Sequence, residues 1–287
     1  VSCLSLPEPD PDQKPLVEAL EAKGFEVATV AWDDPSVDWA KAPLTVLRSC
    51  WNYPQAPNDF RTWLEAVAPQ TRLVNPLDAV LWNLHKSYLL RLQTKSVRVA
   101  PTAVAARHQS TDLCRTMAEH GWSEVVIKPA MSANSWRTLY VSSDSLDEGQ
   151  AHLDALTSER DALIQCFLPS VNDYGERSLV YVDGVLTHAV RKDPRFMTGA
   201  APRPHVKVEA TENEQTLAAG ALAALRAEIA PSRFNDLLYA RVDMTPGLDG
   251  QPILMELELI EPSLWFAMEP RALARFVEGV ARMAGRS

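Results

Sequence analysis

Residues 238–260 read LYARVDMTPGLDGQPILMELELI, two apolar runs joined across Asp249-Gly250. An Asp-Gly pair between such runs is a strong hairpin signal, so the stretch is expected to form two antiparallel strands. Strands this apolar are usually buried, and Glu is almost never fully buried unless it is paired. Yet one run carries Glu256 and Glu258, with Glu261 just beyond it, and the other carries Arg241 and Asp243. Alternate residues of a strand share a face. Glu256 and Glu258 therefore lie on one side, and the partner strand brings Asp243 and Arg241 to the same patch. Carboxylates that close repel unless a cation neutralises them. No Lys lies within either strand. A hard divalent cation with oxygen ligands meets the requirement, and Mg²⁺ usually brings substrate phosphates with it. The competing reading is a solvated sheet face that happens to carry Glu.

Phosphates need donors. The apolar run VVIKPA ends on Lys128 and is followed by the small, polar MSANS. HAVRK closes another run with adjacent Arg191 and Lys192, and Lys86 sits between two apolar helical stretches. Each alone also reads as a solvated or snorkelling cation. Beside a carboxylate cluster they suggest a nucleoside triphosphate between a cationic roof and a metal-bearing floor.

The rest of the chain supplies α/β and α+β material. QKPLVEALEAKGFEV places Leu16, Leu20 and Phe25 near one helical face, with Gly24 as a C-cap. VSCLSL, FEVATVAW, PLTVLRSC and TRLVNP read as strands of a parallel layer. LDAVLWNLHKSYLLRLQ reads as helical. SEVVIKPA, LYVSS and DALIQCFL, with the helices STDLCRTMAEHGW and DSLDEGQAHLDALTSE, form a small α+β unit. RSLVYVDGVLTHAVRK is a second hairpin, around Asp183-Gly184. A Pro-rich loop and the helix NEQTLAAGALAALRAEIA follow, and the helix EPRALARFVEGVARMA closes the chain.

Among 287 residues the formal charge is -9, which disfavours duplex DNA or RNA as a partner. The cysteines, Cys3, Cys50, Cys114 and Cys166, form no CxxC pair and read as small core residues of a reducing compartment. No run approaches the ~20 apolar residues of a membrane span, and no signal peptide is visible. A cytoplasmic protein is expected, although the chain opens on VSCLSL without an initiator Met and leading residues are expected to precede it. The His residues show no HxH or HExxH spacing, and there is no Walker or dinucleotide motif.

The order of these motifs resembles the ATP-grasp ligase superfamily over nearly the whole chain. NLHKSYLL is similar to the helix with that family's first ATP-binding Lys, here Lys86. VVIKPAMSANSW resembles the strand and phosphate loop with the second, Lys128, and implies contacts from Ser132 and Ser135. LIQCFLP resembles the hinge whose backbone pairs with adenine, at Gln165, Cys166, Phe167 and Leu168. GERS implies Glu176 for ribose or for ordering the site, and HAVRK implies Arg191 as the phosphate-side cation. ARVD and LMELE resemble the metal-binding strands, with Asp243, Glu256 and Glu258 as Mg²⁺ ligands. The chain departs from the family in two places. Glu258 stands where Asn is common, and Ser132, Ala133, Asn134 and Ser135 stand where the loop is usually rich in Gly. The resemblance implies an N-terminal parallel α/β domain on the substrate side (1–82), a central lid (83–165) and a C-terminal antiparallel-sheet catalytic domain (166–287).

Within the superfamily, LRSCWNY, FRTWLE, YARVDM and ELELIEPSLWF resemble the subgroup that includes the O-ureido-D-serine cyclo-ligases. The implied reaction is ATP-dependent activation of a carboxylate as acyl phosphate, then ring closure by nitrogen to give D-cycloserine. The implied partner is a small amino-acid substrate, and a homo-oligomer is allowed. A dipeptide or glutathione-like ligase and a non-catalytic ATP-binding module are the other readings. For the acceptor carboxylate, Arg241 offers a bidentate fork, or equally pairs with a neighbouring Glu. Arg48, Trp51, Asn52 and Tyr53 end a strand where ligands gather in open α/β sheets; Trp51 and Tyr53 serve equally as core. Glu261 and Ser263 face substrate or form the turn at Pro262.

Overall fold

The computed structural model describes residues 1–192, 204–230 and 235–285. The Pro-rich loop expected after Lys192 lies largely outside them. The N-terminal part holds α1 (Gln13–Ala22), β1 (Leu44–Val46), α2 (Pro57–Val67) and β2 (Arg72–Val74), with β1 and β2 parallel. The expected strands VSCLSL and FEVATVAW meet only as a single bridge between Ser2 and Ala31. Pro7, Pro9 and Pro11 follow at once and remove the N–H donors that a longer ladder needs.

The stretch expected as one helix is two, α3 (Leu77–Leu84) and α4 (Tyr88–Thr94). His85 turns extended, at φ -106° and ψ 115°, and Lys86 N–H donates to the Ala130 carbonyl at 2.7 Å. Lys86 thus sits in a break between helices rather than on one.

The middle part comprises β3 (Thr102–Ala105), α5 (Leu113–His120), β4 (Val125–Pro129), β5 (Leu139–Val141), α6 (Leu146–Thr157) and β6 (Ala162–Cys166). The strands form an antiparallel sheet in the order β3-β6-β4-β5. Period-two alternation divides β4. Val125 and Ile127 pack under Leu113, Met117, Leu153 and Leu156, whereas Val126 and Lys128 face the opposite way.

The last part holds α7 (Ser170–Asp173), β7 (Glu176–Val182), β8 (Val185–Lys192), β9 (Val206–Val208), α8 (Glu212–Glu228), β10 (Tyr239–Pro246), β11 (Pro252–Glu258) and α9 (Pro270–Met283). Its antiparallel sheet runs β11-β10-β7-β8-β9. Asp183 and Gly184, at φ 49° and 72°, make the expected hairpin turn with both central residues left-handed.

The two faces of this sheet differ. Leu179, Ala189, Val242, Met244 and Leu257 pack against Ala218, Ala221, Ala224 and Leu225 of α8. On the opposite face, Val180, Val182, Val190 and Tyr239 pack against Phe276, Val277 and Val280 of α9. Gly279 permits that close seating, since a Cβ there would lie 2.3 Å from Leu238 Cδ1. Helix α9 covers only one end of its face. The remainder carries Glu176, Arg241 and Asp243 by the same alternation, and register shifts of one residue, beside Asp243 and beside Val180, bring Glu256, Glu258 and Lys192 onto it. No described helix is long and apolar enough to cross a membrane.

Candidate active site

The strand register brings the charged residues together. Arg241 lies opposite Glu258, Asp243 opposite both Glu256 and Ser178, and Glu176 opposite Lys192. They floor a cavity roofed by Lys128, the 132–135 loop and the 165–168 segment. The positive charge that meets the carboxylates is the chain's own. Lys86 Nζ pairs with Glu256, and Lys192 Nζ with both Glu176 and Asp243. Arg241 pairs with Asp243 through Nε and Nη2, both at 2.9 Å, and with Glu258. Close opposite charges on a strand pair stabilise the sheet locally.

These pairings decide several expectations. Of the two readings for Arg241, pairing with neighbouring acids is the one seen. Its fork is spent on Asp243, Nη1 donates to the Ser263 carbonyl at 3.2 Å, and the Trp265 ring lies 5.0 Å from the guanidinium carbon. Asp243 is 1% exposed, and both its oxygens are engaged by Arg241 and Lys192. Among the described residues no group of three His, Cys, Asp or Glu is set to hold a metal ion. The three-carboxylate centre is therefore corrected to two cavity-facing ligand candidates, Glu256 and Glu258, with Asp243 behind them as the anchor of Arg241 and Lys192. An all-oxygen pair of this kind fits a hard cation such as Mg²⁺ and not a thiophilic one. Arg191 is also corrected. It is exposed and lies opposite Arg177, whose guanidinium binds Glu214 of α8, so it points to the other face of the sheet. One residue further, the alternation delivers Lys192 instead.

Burial sharpens the electrostatics. It alone would lower the Lys86 and Lys192 ammonium pKa values, but Glu256 and Asp243, respectively, more than reverse this and hold both above their ordinary value. Lys128 is different. Its ammonium is pushed down by burial, only partly offset by Glu256, and it donates to Gln165 Oε1 at 3.1 Å without touching a carboxylate. Glu256 is held below its usual range, since Lys86 and Lys128 outweigh its burial. Burial pushes Glu258 up to about 7, because Arg241 is shared with Asp243 while Glu256 and Asp243 repel it. Burial, then Glu258, push Glu261 up to about 8.

The roof loop is built without glycine. Asn134, Ser135 and Arg137 take left-handed backbone at φ 50°, 55° and 52°, each a conformation costing of order 1 kcal/mol outside Gly. The loop is tied down to match. The Ser132 carbonyl accepts from Lys86 Nζ at 2.8 Å and from Tyr53 OH at 3.3 Å, and Arg137 Nη1 pairs with Glu159 at 2.8 Å. Ser132 and Ser135 line the cavity. So do Gln165, Cys166, Phe167, Leu168 and Glu176. The Gln165 side chain bridges Lys128 to Thr102. The N–H groups of Cys166 and Phe167 already serve the Pro101 and Glu124 carbonyls, so those two are not free for a base.

Trp51, Glu261 and Ser263 line the cavity, whereas Arg48, Asn52 and Tyr53 do not. Asn52 accepts from the Trp32 indole at 2.6 Å and donates to Asp33 at 2.7 Å. Tyr53 stands behind the roof loop. Arg48 and Trp51 instead hold the wall: Trp51 Nε1 donates to the Glu261 carbonyl and Arg48 Nη2 to the Pro262 carbonyl, both at 2.9 Å. The next three N–H groups, of Leu264, Trp265 and Phe266, donate to Asp12 at 2.6, 3.0 and 2.8 Å. The sequence reading missed Asp12, Glu8, His205 and Trp265, of which the last three line the cavity. Strand parity from the Asp183-Gly184 turn does not find Lys192, because the register shifts by one residue between Val180 and Tyr181, and nothing local points to Asp12, whose partners lie some 252 positions away.

Comparison with known proteins agrees with this architecture. Residues 1–75 match the family described as the N-terminal domain of D-cycloserine synthetase DcsG. The cycloserine biosynthesis protein DcsG of Streptomyces lavendulae is 31% identical over 283 residues, covering 95% of this chain and 93% of that one. The crystal structure of D-cycloserine synthetase DcsG superposes with a TM-score of 0.87 at 31% identity, over 96% of this chain and 95% of that one. The ATP-grasp ligase PsnB, solved with a phosphomimetic variant of its minimal precursor, Mg and ADP, gives 0.64 at 17% identity over 96% of each chain.

Proposed function

We propose a specific reaction for a chain that belongs to the ATP-grasp ligases of the DcsG family: ring closure of O-ureido-D-serine to D-cycloserine. The chain is an ATP-dependent carbon–nitrogen ligase; the substrate is the proposed part. The observation that carries the reading is a single cavity with a carboxylate-free Lys128 in its roof and Glu256 and Glu258 in its floor. When bound, Mg-ATP supplies the phosphoryl group that turns a carboxylate into an acyl donor. The chain's part is to place and to neutralise. Lys128 and the 132–135 loop would take phosphate oxygens, and Glu256 and Glu258 the cation. The buried walls formed by Trp51, Trp265 and Phe167 exclude water, which would otherwise hydrolyse the activated carboxyl.

The test is a phosphate-release assay with Mg-ATP and products read by mass. O-ureido-D-serine alone should stimulate phosphate release. The product should be D-cycloserine, formed by the ureido nitrogen attacking the carboxyl, with the carbamoyl group hydrolysed to carbon dioxide and ammonia. Intramolecular delivery of this kind reaches effective molarities of about 10⁵ M or more, so no separate amine is needed. A strict requirement for a second amino acid would instead support the dipeptide-ligase reading. Substrate-independent ATP binding with no phosphate release would support a non-catalytic module.

Lys128→Ala should weaken ATP binding more than binding of the organic substrate. A hydrogen bond to a charged group is worth about 1.5–3 kcal/mol, or roughly ten- to a hundredfold in Kd. Calorimetry showing an unchanged ATP affinity would remove Lys128 from the phosphate side.

A further inference from the structure

Each carboxylate that the sheet contributes to the cavity floor has a cation against it: Lys86 on Glu256, Arg241 on Glu258 and Asp243, Lys192 on Asp243 and Glu176. Glu261 is the exception among the described residues. It is 8% exposed and lines the cavity, and no cation lies within ion-pairing distance of it. A buried acid is rarely left without a cation.

Its position is fixed with unusual care. The carbonyls of Glu261, Pro262 and Ser263 are held by Trp51, Arg48 and Arg241, and Asp12 holds the three N–H groups that follow. None of these contacts uses the Glu261 carboxyl, whose side-chain partner is the neutral Tyr53 hydroxyl. A carboxyl held rigidly, desolvated and left open to the cavity is a prepared receptor for a ligand cation. At the opposite side of the cavity Lys128 is the buried cation without a carboxylate. The cation-free acid and the carboxylate-free ammonium suit a ligand pair of ammonium and phosphate.

The geometry points to Glu261 as the counter-ion for the α-ammonium group of the amino-acid substrate. This rests on the ligase reading above and deepens it. In the cyclisation the α-amine takes no part in bond making and stays charged from substrate to product, so it can be gripped throughout. The grip selects an α-amino acid over any carboxylic acid of the same length, and it makes Glu261 a specificity-determining residue.

The experiment compares O-ureido-D-serine with its analogue bearing hydrogen in place of the α-amino group, in the wild-type protein and in Glu261→Gln. Wild type should favour the amino acid by roughly thirtyfold or more in kcat/KM, as expected for losing one partner of a buried charge pair. Glu261→Gln should raise KM for the amino acid by a similar factor and largely abolish the preference, leaving KM for ATP and the Mg²⁺ dependence unchanged. If the variant raises the Mg²⁺ or ATP requirement and leaves KM for the amino acid alone, Glu261 belongs to the metal side and the assignment falls. It falls equally if the variant keeps the preference, or if wild type accepts both compounds alike, a result that needs no variant. If the deamino analogue turns over only when a free amine is added, Glu261 serves a second substrate, and the assignment to the substrate's own amine is wrong. Wild type inert to O-ureido-D-serine would sink the proposed cyclisation itself and this inference with it.

Discussion

Asp12→Ala is expected to destabilise the protein more than any other substitution in the pocket wall. The side chain is 1% exposed and accepts three backbone N–H bonds, and Arg48 Nη2 lies 3.5 Å from it. Removing it leaves buried donors unsatisfied, each costing about 1–3 kcal/mol, and strips a buried guanidinium of its acid, where losses of about 3–5 kcal/mol are typical. At roughly 2–4 °C per kcal/mol for a chain of this size, the unfolding midpoint should fall by more than about 10 °C. Asp12→Asn, which keeps one acceptor oxygen, should lose less. KM for the amino acid should rise in both variants, because the turn carrying Glu261 and Ser263 is no longer held. A midpoint within about 2 °C of wild type for Asp12→Ala would mean that water replaces the carboxylate without cost.

Glu256→Gln should nearly abolish turnover while leaving the fold in place. The substitution keeps the shape and an acceptor for Lys86 but removes the anion. A divalent cation contributes several kcal/mol to neutralising phosphoryl charge, so weakening its site should slow kcat by about a hundredfold or more. The side chain is 25% exposed, which limits the cost to stability of leaving Lys86 without its acid. Two readouts separate the roles. Excess Mg²⁺ should restore part of the rate, and calorimetry with a non-hydrolysable ATP analogue should show weaker Mg²⁺ binding. Wild-type activity at limiting Mg²⁺ would take Glu256 out of the metal assignment.

Much of this was legible in the sequence because strand periodicity is rigid. The two Asp-Gly turns and the spacing of Arg241, Asp243, Glu256 and Glu258 show that each strand groups its own charges on one face, but which faces coincide is decided by a one-residue register shift beside Asp243 that puts Glu256, not Met255, opposite it. A second register shift, between Val180 and Tyr181, places Lys192 rather than Arg191 opposite Glu176, and alternation counted from the Asp183-Gly184 turn would choose Arg191. What periodicity does not carry is who neutralises whom. Lys86 and Lys192 come from other segments, and Arg241 faces two acids at once, so protein cations supply neutralisation that a local reading gives to the metal alone. The FEVATVAW run failed as a strand for a related reason: an extended apolar segment needs a partner edge, and the Pro-rich segment after Ser2 supplies only one residue of it. The Gly-poor loop reached left-handed backbone through tertiary ties to Tyr53, Lys86 and Glu159, none of which a local reading contains.

The wall of the pocket joins residues 12, 48 and 51 to residues 261–266, across more than two hundred positions of chain. Bringing such distant segments together carries a loop-closure entropy that no neighbouring turn shares, and contacts of large sequence separation form slowly. The two halves of the cavity therefore belong to different stages of the chain's history. Lys128 and the roof loop are set by a sheet closed within residues 102–166, which a growing chain holds complete while more than a hundred residues are still to be synthesised. The wall that carries Glu261 exists only when residues 12, 48 and 51 meet residues 261–266. The roof of the cavity can therefore form first and this wall last.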